Sequence, residues 1–242
     1  LTFRPEHEIA VVEMGASHPG DIKKLVDYVE PTCGLITNVG RAHLQGFGSF
    51  EGVKRTKGEL YDFLAAHDAL LFLNSGDADL LEMAGERDFK YVVSYASGGS
   101  DDEAVVTGEV ESCTPLLNFT WQSRLHTPAA HQDYEVRSQL IGAYNVNNML
   151  AAIAVGLYFD VEPNLICDAL REYEPSNSRS QLTVTKDNRL VVDAYNANPT
   201  SMKAALDNFR LIEAGHKMAI IGDMLELGEA SAEEHQRVVD QL

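Results

Sequence analysis

The sequence predicts an α/β fold: a mostly parallel sheet with an antiparallel β section, followed by a second α/β unit. Three observations carry this. Over residues 9–95, short apolar runs alternate with amphipathic helical stretches, the rhythm of βα units. Over residues 104–141, three strand-like runs follow one another with no helix between them. After YEPSNSRS at 173–180, whose Pro, Ser and Asn disfavour a continuing helix, strand-like and helical runs begin again.

Composition sets the outer bounds. The 242 residues suffice for one large domain or two ordinary ones. A hydrophobic content of 45% supports a sizeable core rather than disorder. The longest apolar runs, such as ALLFL at 69–73, are far too short to cross a bilayer, so no membrane span is expected. Nothing at the N-terminus resembles a signal peptide, and a cytoplasmic protein is the simplest reading. Cys33, Cys113 and Cys167 are odd in number and widely spaced, which excludes a disulfide framework or a CxxC metal signature. Cys33 and Cys167 lie in apolar surroundings and read as core residues. A formal net charge of -18 repels phosphate backbones, so no nucleic-acid partner is expected. The first 60 residues are nevertheless close to charge balance, and VKRTK gathers Lys54, Arg55 and Lys57. A small anion such as a nucleotide phosphate suits that cluster, while a solvated helix face is the plainer reading for Lys54.

The elements follow in order. Residues 9–12 form an unbroken apolar run, as expected of a strand buried on both faces of a parallel sheet, and Glu13 stands at its end. Ligands of open α/β sheets bind beyond the carboxyl ends of the strands, which makes such positions worth following. Pro19 and Gly20 open a helix with an Ile22, Leu25, Val26 and Val29 stripe, and Pro31 ends it. Residues 34–37 read as a strand, and 38–48 as a glycine-bearing loop containing His43. A helix over 50–65 buries Val53, Leu60, Phe63 and Leu64. Strands at 70–73 and 91–95 flank a short helix with Leu80, Leu81 and Met83. Strands at 104–110, 116–121 and 134–141 make the antiparallel section, with Trp121 as a packing residue. Helices follow over 145–159 and from Pro163 to near 171. Strands at 181–185 and 190–193 surround KDNR, then come a helix over 201–212, a strand at 218–221, the loop GDMLELGE and a helix from near Ser231.

Several polar residues sit where such a fold presents ligands. Glu13 and His43 both follow predicted strands and can converge, and their oxygen and nitrogen donors suit a divalent ion that also holds phosphate. The plainer readings are a surface or capping role for Glu13 and a structural or merely exposed role for His43. Lys57 has four readings: a helix-surface charge, a partner for Glu51 or Glu59, a phosphate contact, or a carbamate formed when CO2 adds to its neutral amine. The phosphate-loop pattern GxxxxGK[ST] is absent. In GAYNVNN at 142–148, Asn145 and Asn148 lie three apart and suit a base edge or a helix cap. Arg179, beside the linker, suits a transferred phosphate or a carboxylate partner. Asp193 ends a strand and suits a ribose or a turn, Tyr195 stacks or packs, and Asn196 and Asn198 shape the loop that follows. Asp223 and Glu226 read as rim residues.

In order, VVEMGASHPGDI, TNVGRAHLQGFGSFEGVKRTKGEL, GAYNVNNMLAA, DAYNANPTSMKAAL and IGDMLELGE resemble the Mur ligase family over almost the whole chain. The family has a UDP-sugar-binding domain, a central ATP-binding domain and a Rossmann-like last domain. The resemblance implies that residues 1–175 are the central domain without its start and phosphate loop. It implies that residues 176–242 are part of the Rossmann-like domain. It further implies that Glu13 and His43 bind Mg2+ and that Lys57 is the lysine whose carbamate supports the metal site. Asn145 and Asn148 fall in the adenine-side motif, although Tyr144 stands where many relatives have His. Arg179 resembles the interdomain arginine that reaches the γ-phosphate. Asp193, Tyr195, Asn196 and Asn198 belong to the loop that helps place the nucleotide. NANPTSM with GDMLELGE is most similar to the branch that joins D-alanyl-D-alanine to a UDP-N-acetylmuramoyl-tripeptide. The implied activity is ATP-dependent ligation through an acyl phosphate in peptidoglycan precursor synthesis, by a monomer. The alternatives are another Mur-type or folylpolyglutamate-type ligase, or a structural, phosphate-binding fragment.

Overall fold

The computed structural model describes residues 4–41, 43–125, 132–176 and 181–242. Six strands, β1 Cys33–Leu35, β2 Leu70–Asn74, β3 Val92–Ser97, β4 Val106–Cys113, β5 Leu116–Ser123 and β6 Tyr134–Ile141, form one sheet in that spatial order. The pairs from β1 to β4 are parallel, and β4, β5 and β6 are antiparallel neighbours. The expected α/β class and its antiparallel section are both present.

β2 shows why the parallel part is central. All five of its residues are buried. Side chains alternate across a strand, so Leu70 and Phe72 enter one apolar cluster while Leu71 and Leu73 enter another. The first cluster lies beneath α5 Asn145–Tyr158 and α6 Pro163–Glu172, which contribute Met149, Leu150, Ile153 and Ile166. It also takes Leu117, Phe119 and Trp121 from alternate positions of β5, and Trp121 stacks on Tyr134 with ring centroids 4.5 Å apart. The second cluster is closed by α3 Phe50–Ala66 and α4 Ala78–Gly85. Cys167 is buried and Cys33 packs against the same core, as expected.

Helix ends follow local chemistry. Ser49 accepts from the Gly52 N–H at the start of α3, and Asp77 accepts from the Asp79 and Leu80 N–H groups at the start of α4. At the start of α1 Asp21–Val29, the free N–H groups of Gly20 and Lys23 both donate to the Glu59 carboxylate of α3, each at 2.8 Å. Glu59→Ala leaves those donors to water and is expected to cost ~0.5–2 kcal/mol, the range for a lost helix cap. Chemical denaturation checks it, and an unchanged midpoint overturns the capping role.

Four expectations change. Residues 9–12 form no strand, and Val11 is 90% exposed. Residues 218–221 likewise form none, and Ile220 is 88% exposed. An apolar extended segment becomes a strand only where a neighbouring ladder takes its N–H and C=O groups, and β1 pairs only with β2. The 38–48 loop contains a one-turn helix, α2 Leu44–Phe47. On α3 the buried positions are Val53, Thr56, Tyr61 and Leu64, whereas Leu60 and Phe63 are half-buried; on α4, Leu81 faces solvent.

Beyond residue 180, β7 Gln181–Val184 and β8 Arg189–Val192 form the expected hairpin. Then come α7 Pro199–Leu211, a 3-10 turn at Gly228–Ala230 and α8 Ser231–Gln241. Leu206, Met224, Leu227 and Val238 make a small core of their own. Among the described residues, no helix is long and apolar enough to cross a membrane.

Candidate functional site

The parallel strands end on one edge of the sheet, and polar residues collect there. Asn38 follows β1, Asn74 closes β2 and Ser97 closes β3. Asn74 is buried, and its Oδ1 accepts from the Gly76 N–H at 3.2 Å. Ser97 Oγ donates to Asn147 Oδ1 at 2.8 Å, which ties the first turn of α5 to the end of β3.

α3 brings Lys57 to this edge. Its Nζ donates to the Asn38 carbonyl at 2.7 Å, and burial lowers the amine below the ordinary lysine range. The Glu59 partnership considered from sequence does not form, because Glu59 is engaged at the start of α1. Lys54 behaves differently. It spans α3 to α4 with Asp79 at 3.1 Å and Glu82 at 2.5 Å, and these two carboxylates raise its pKa. Lys54 is thus neither a plain solvated charge nor an open anion ligand. Arg55 is exposed.

His43 stands immediately before α2 with φ 54°. Its Nδ1 contacts the Glu226 carboxylate of the second unit. Close by, Gly46 lets α2 press on the 13–18 segment: a Cβ there would lie 2.1 Å from the Ser17 carbonyl oxygen. Glu13 itself is exposed. Asn145 Nδ2 donates to the Ile141 carbonyl at 2.8 Å, and Asn148 Nδ2 donates to Asn145 Oδ1 at 3.0 Å. Neither amide caps α5. Asn148 is exposed.

Asp193, Tyr195 and Asn196 lie exposed in the β8–α7 connection. Asn198 closes that connection as the cap of α7: its side chain accepts from the Ser201 N–H and Ser201 Oγ accepts from the Asn198 N–H. Arg179 lies outside the described residues. Among the described residues, no group of three or more His, Cys, Asp or Glu side chains is arranged to hold a metal ion.

Sequence reasoning passed over Arg41, Ser97, Asn147 and Glu234. Asn147 is the second amide of GAYNVNN, but three-residue spacing draws attention to Asn145 and Asn148 on either side of it. Arg41 pairs with the buried Glu234 at 3.5 Å, a contact across 193 positions that no local signal announces.

Fold and site together define a class: an α/β protein whose polar strand-end edge is contacted by a second α/β unit. More narrowly, the chain belongs to the Mur ligase family. Residues 1–156 match the Mur ligase middle domain, and residues 178–242 match the Mur ligase, glutamate ligase domain. The chain is 34% identical over 235 residues to the UDP-N-acetylmuramoyl-tripeptide–D-alanyl-D-alanine ligase of Bacillus subtilis, covering 96% of this chain and 48% of that protein. The crystal structure of MurF from Acinetobacter baumannii superposes with a TM-score of 0.83 at 30% identity, covering 98% of this chain and 49% of the other. The fold is also that of the Thermotoga maritima MurF ligase crystallised with ADP, at a TM-score of 0.79 and 22% identity, covering 95% and 50%. The chain spans about half the length of the curated relatives it matches.

Proposed function

We propose that the full-length protein is an ATP-dependent ligase joining D-alanyl-D-alanine to UDP-N-acetylmuramoyl-tripeptide in peptidoglycan precursor synthesis. In this reading residues 1–175 belong to its central ATP-binding domain and residues 176–242 to its C-terminal domain. The observation that carries it is the match of both blocks, in order, to relatives that bear that ligase name.

The chemistry answers a defined difficulty. A carboxylate resists attack by an amine because its oxygen is a poor leaving group. Transfer of the γ-phosphoryl group of ATP to the tripeptide carboxylate gives an acyl phosphate and ADP. The amine of D-alanyl-D-alanine then adds to the carbonyl carbon, loses a proton, and expels inorganic phosphate as the peptide bond forms.

Single residues carry the chemistry these demands call for, although no three His, Cys, Asp or Glu side chains converge among the described residues. Burial raises the fraction of neutral Lys57 amine, the form that would add CO2, and a carbamate there would offer anionic oxygens to a metal. Glu13 and His43 would supply further oxygen and nitrogen donors for Mg2+. Magnesium, when bound, neutralises charge that develops in phosphoryl transfer. Asn148 presents its amide to the adenine side, with Asn145 holding it. Asp193, Tyr195 and Asn196 would serve the nucleotide from the second unit, and Asn198 sets the conformation of their loop. Arg179 contributes positive charge at the γ-phosphate.

The test is turnover by the full-length protein supplied with ATP, Mg2+ and UDP-N-acetylmuramoyl-tripeptide. D-alanyl-D-alanine and single amino acids are offered side by side. ADP, phosphate and the dipeptide-extended product are expected. Preference for a single amino acid rejects the substrate assignment, and absence of ATP turnover by the folded protein rejects the ligase reading.

A further inference from the structure

We propose that Glu226 is a positioning residue for His43, delivered to it by docking of the second unit onto α2. The inference rests on the reading of His43 as a metal-site residue and adds to it a carboxylate from the other unit.

The backbone supplies the first observation. Among the described residues, five non-glycine residues have positive φ: Glu30, His43, Asp68, Asp160 and Glu226. Glu30, Asp68 and Asp160 follow α1, α3 and α5, where a left-handed residue commonly ends a helix. His43 and Glu226 have no such explanation: one precedes a helix and the other lies in a loop. These two touch each other, Nδ1 to carboxylate. Left-handed backbone at a side chain costs roughly 1–3 kcal/mol and persists where the surroundings over-determine it.

The surroundings do so from both sides. The Gln45 N–H donates to the Glu226 carbonyl at 3.1 Å, so the chain that carries His43 also holds the chain that carries Glu226. Leu44 packs into the small core of Met224 and Leu227. The Arg41 N–H donates to Thr200 Oγ1 at 3.1 Å, and the Arg41 guanidinium reaches Glu234, which is buried and also pairs with Arg237 at 2.8 Å. Within the second unit, His235 Nε2 accepts from the Met224 N–H at 3.1 Å and braces the loop before Glu226. The pair is therefore flanked by a clasp of backbone, apolar and ionic contacts, with the Glu226 side chain itself exposed.

A carboxylate on one ring nitrogen selects the tautomer and turns the other nitrogen toward a ligand. With Nδ1–H held by Glu226, Nε2 is the nitrogen left for the site. Docking of the second unit would then set the orientation of the His43 ring, coupling the position of His43 to that docking.

The experiment uses 15N-histidine-labelled chain without metal and reads the His43 ring nitrogens by long-range 1H–15N spectra. A single Nδ1–H tautomer is expected for wild type, and Glu226→Ala should shift it toward the ordinary mixture of tautomers. Arg41→Ala leaves both side chains of the pair in place, weakens the clasp, and should produce a smaller shift in the same direction. In the full-length protein, Glu226→Ala should raise the Mg2+ concentration for half-maximal turnover ~10- to 100-fold, with less change at saturating Mg2+. Unchanged ring-nitrogen signals in folded Glu226→Ala overturn the inference. If they move but His43→Ala retains normal Mg2+ dependence, the pairing stands and the metal reading of His43 fails.

Discussion

Replacing Lys57 by arginine is expected to lower ATP-dependent turnover of the full-length protein by ~10²- to 10³-fold, although the positive charge is kept. Lys57 Nζ reaches the Asn38 carbonyl, and its burial favours the neutral amine. Arginine stays protonated at every accessible pH and has no amine to form a carbamate. A lysine serving as a bare cation for phosphate would tolerate this change far better. Near-wild-type turnover in Lys57→Arg therefore sinks the carbamate role, and mass spectrometry of the native protein reads the adduct directly. The lowered pKa carries a stability consequence as well. The folded chain releases this proton at lower pH than the unfolded chain, so between those two pKa values the unfolded state binds more protons. Wild-type stability should thus rise with pH across that window relative to Lys57→Met. A difference that stays flat with pH would overturn the burial argument.

Trp121→Ala should produce the largest loss of stability, ~3–5 kcal/mol. Trp121 is only 1% exposed and belongs to the cluster that binds α5 and α6 to the sheet. Removing the indole deletes its stack on Tyr134 and leaves a cavity that β5, paired on both edges, has little freedom to close. With typical domain stabilities of ~5–15 kcal/mol, such a loss is a large fraction of the whole. Urea denaturation gives the measure. Trp121→Phe should recover much of the loss, and a cost below ~1 kcal/mol for Trp121→Ala would show that the cluster does not hold these layers together.

The elements that could be read from the sequence are those whose signal is local and whose partners lie within reach. α1, α3 and α6 have an apolar face with caps or prolines near their ends, and α5 has the apolar face without a side-chain cap. β2 and β5 have the runs expected of a strand buried on two faces or one. The 9–12 and 218–221 segments have equally good strand composition, yet neither pairs. Composition states what a segment can bury, while a ladder requires a neighbour. The site divides in the same way. Lys57 drew attention within a basic cluster, and His43, Asn145 and Asn148 because each follows a strand or lies at a helix start. Arg41 and Glu234 did not, because an ion pair between remote positions has no periodicity.

By itself the sequence determined the α/β class, the antiparallel insertion, the family and the edge of the sheet on which to look. These follow from side-chain periodicity, helix-end chemistry and ordered motifs, all encoded within short stretches of chain. Tertiary structure alone decided which polar groups meet. It separated Lys54, held by two carboxylates, from Lys57, lowered by burial, although the two lie within one turn of the same helix. It also turned the rim residue Glu226 into the partner of His43. Charge and pKa depend on what surrounds a group in space, and sequence distance does not report that.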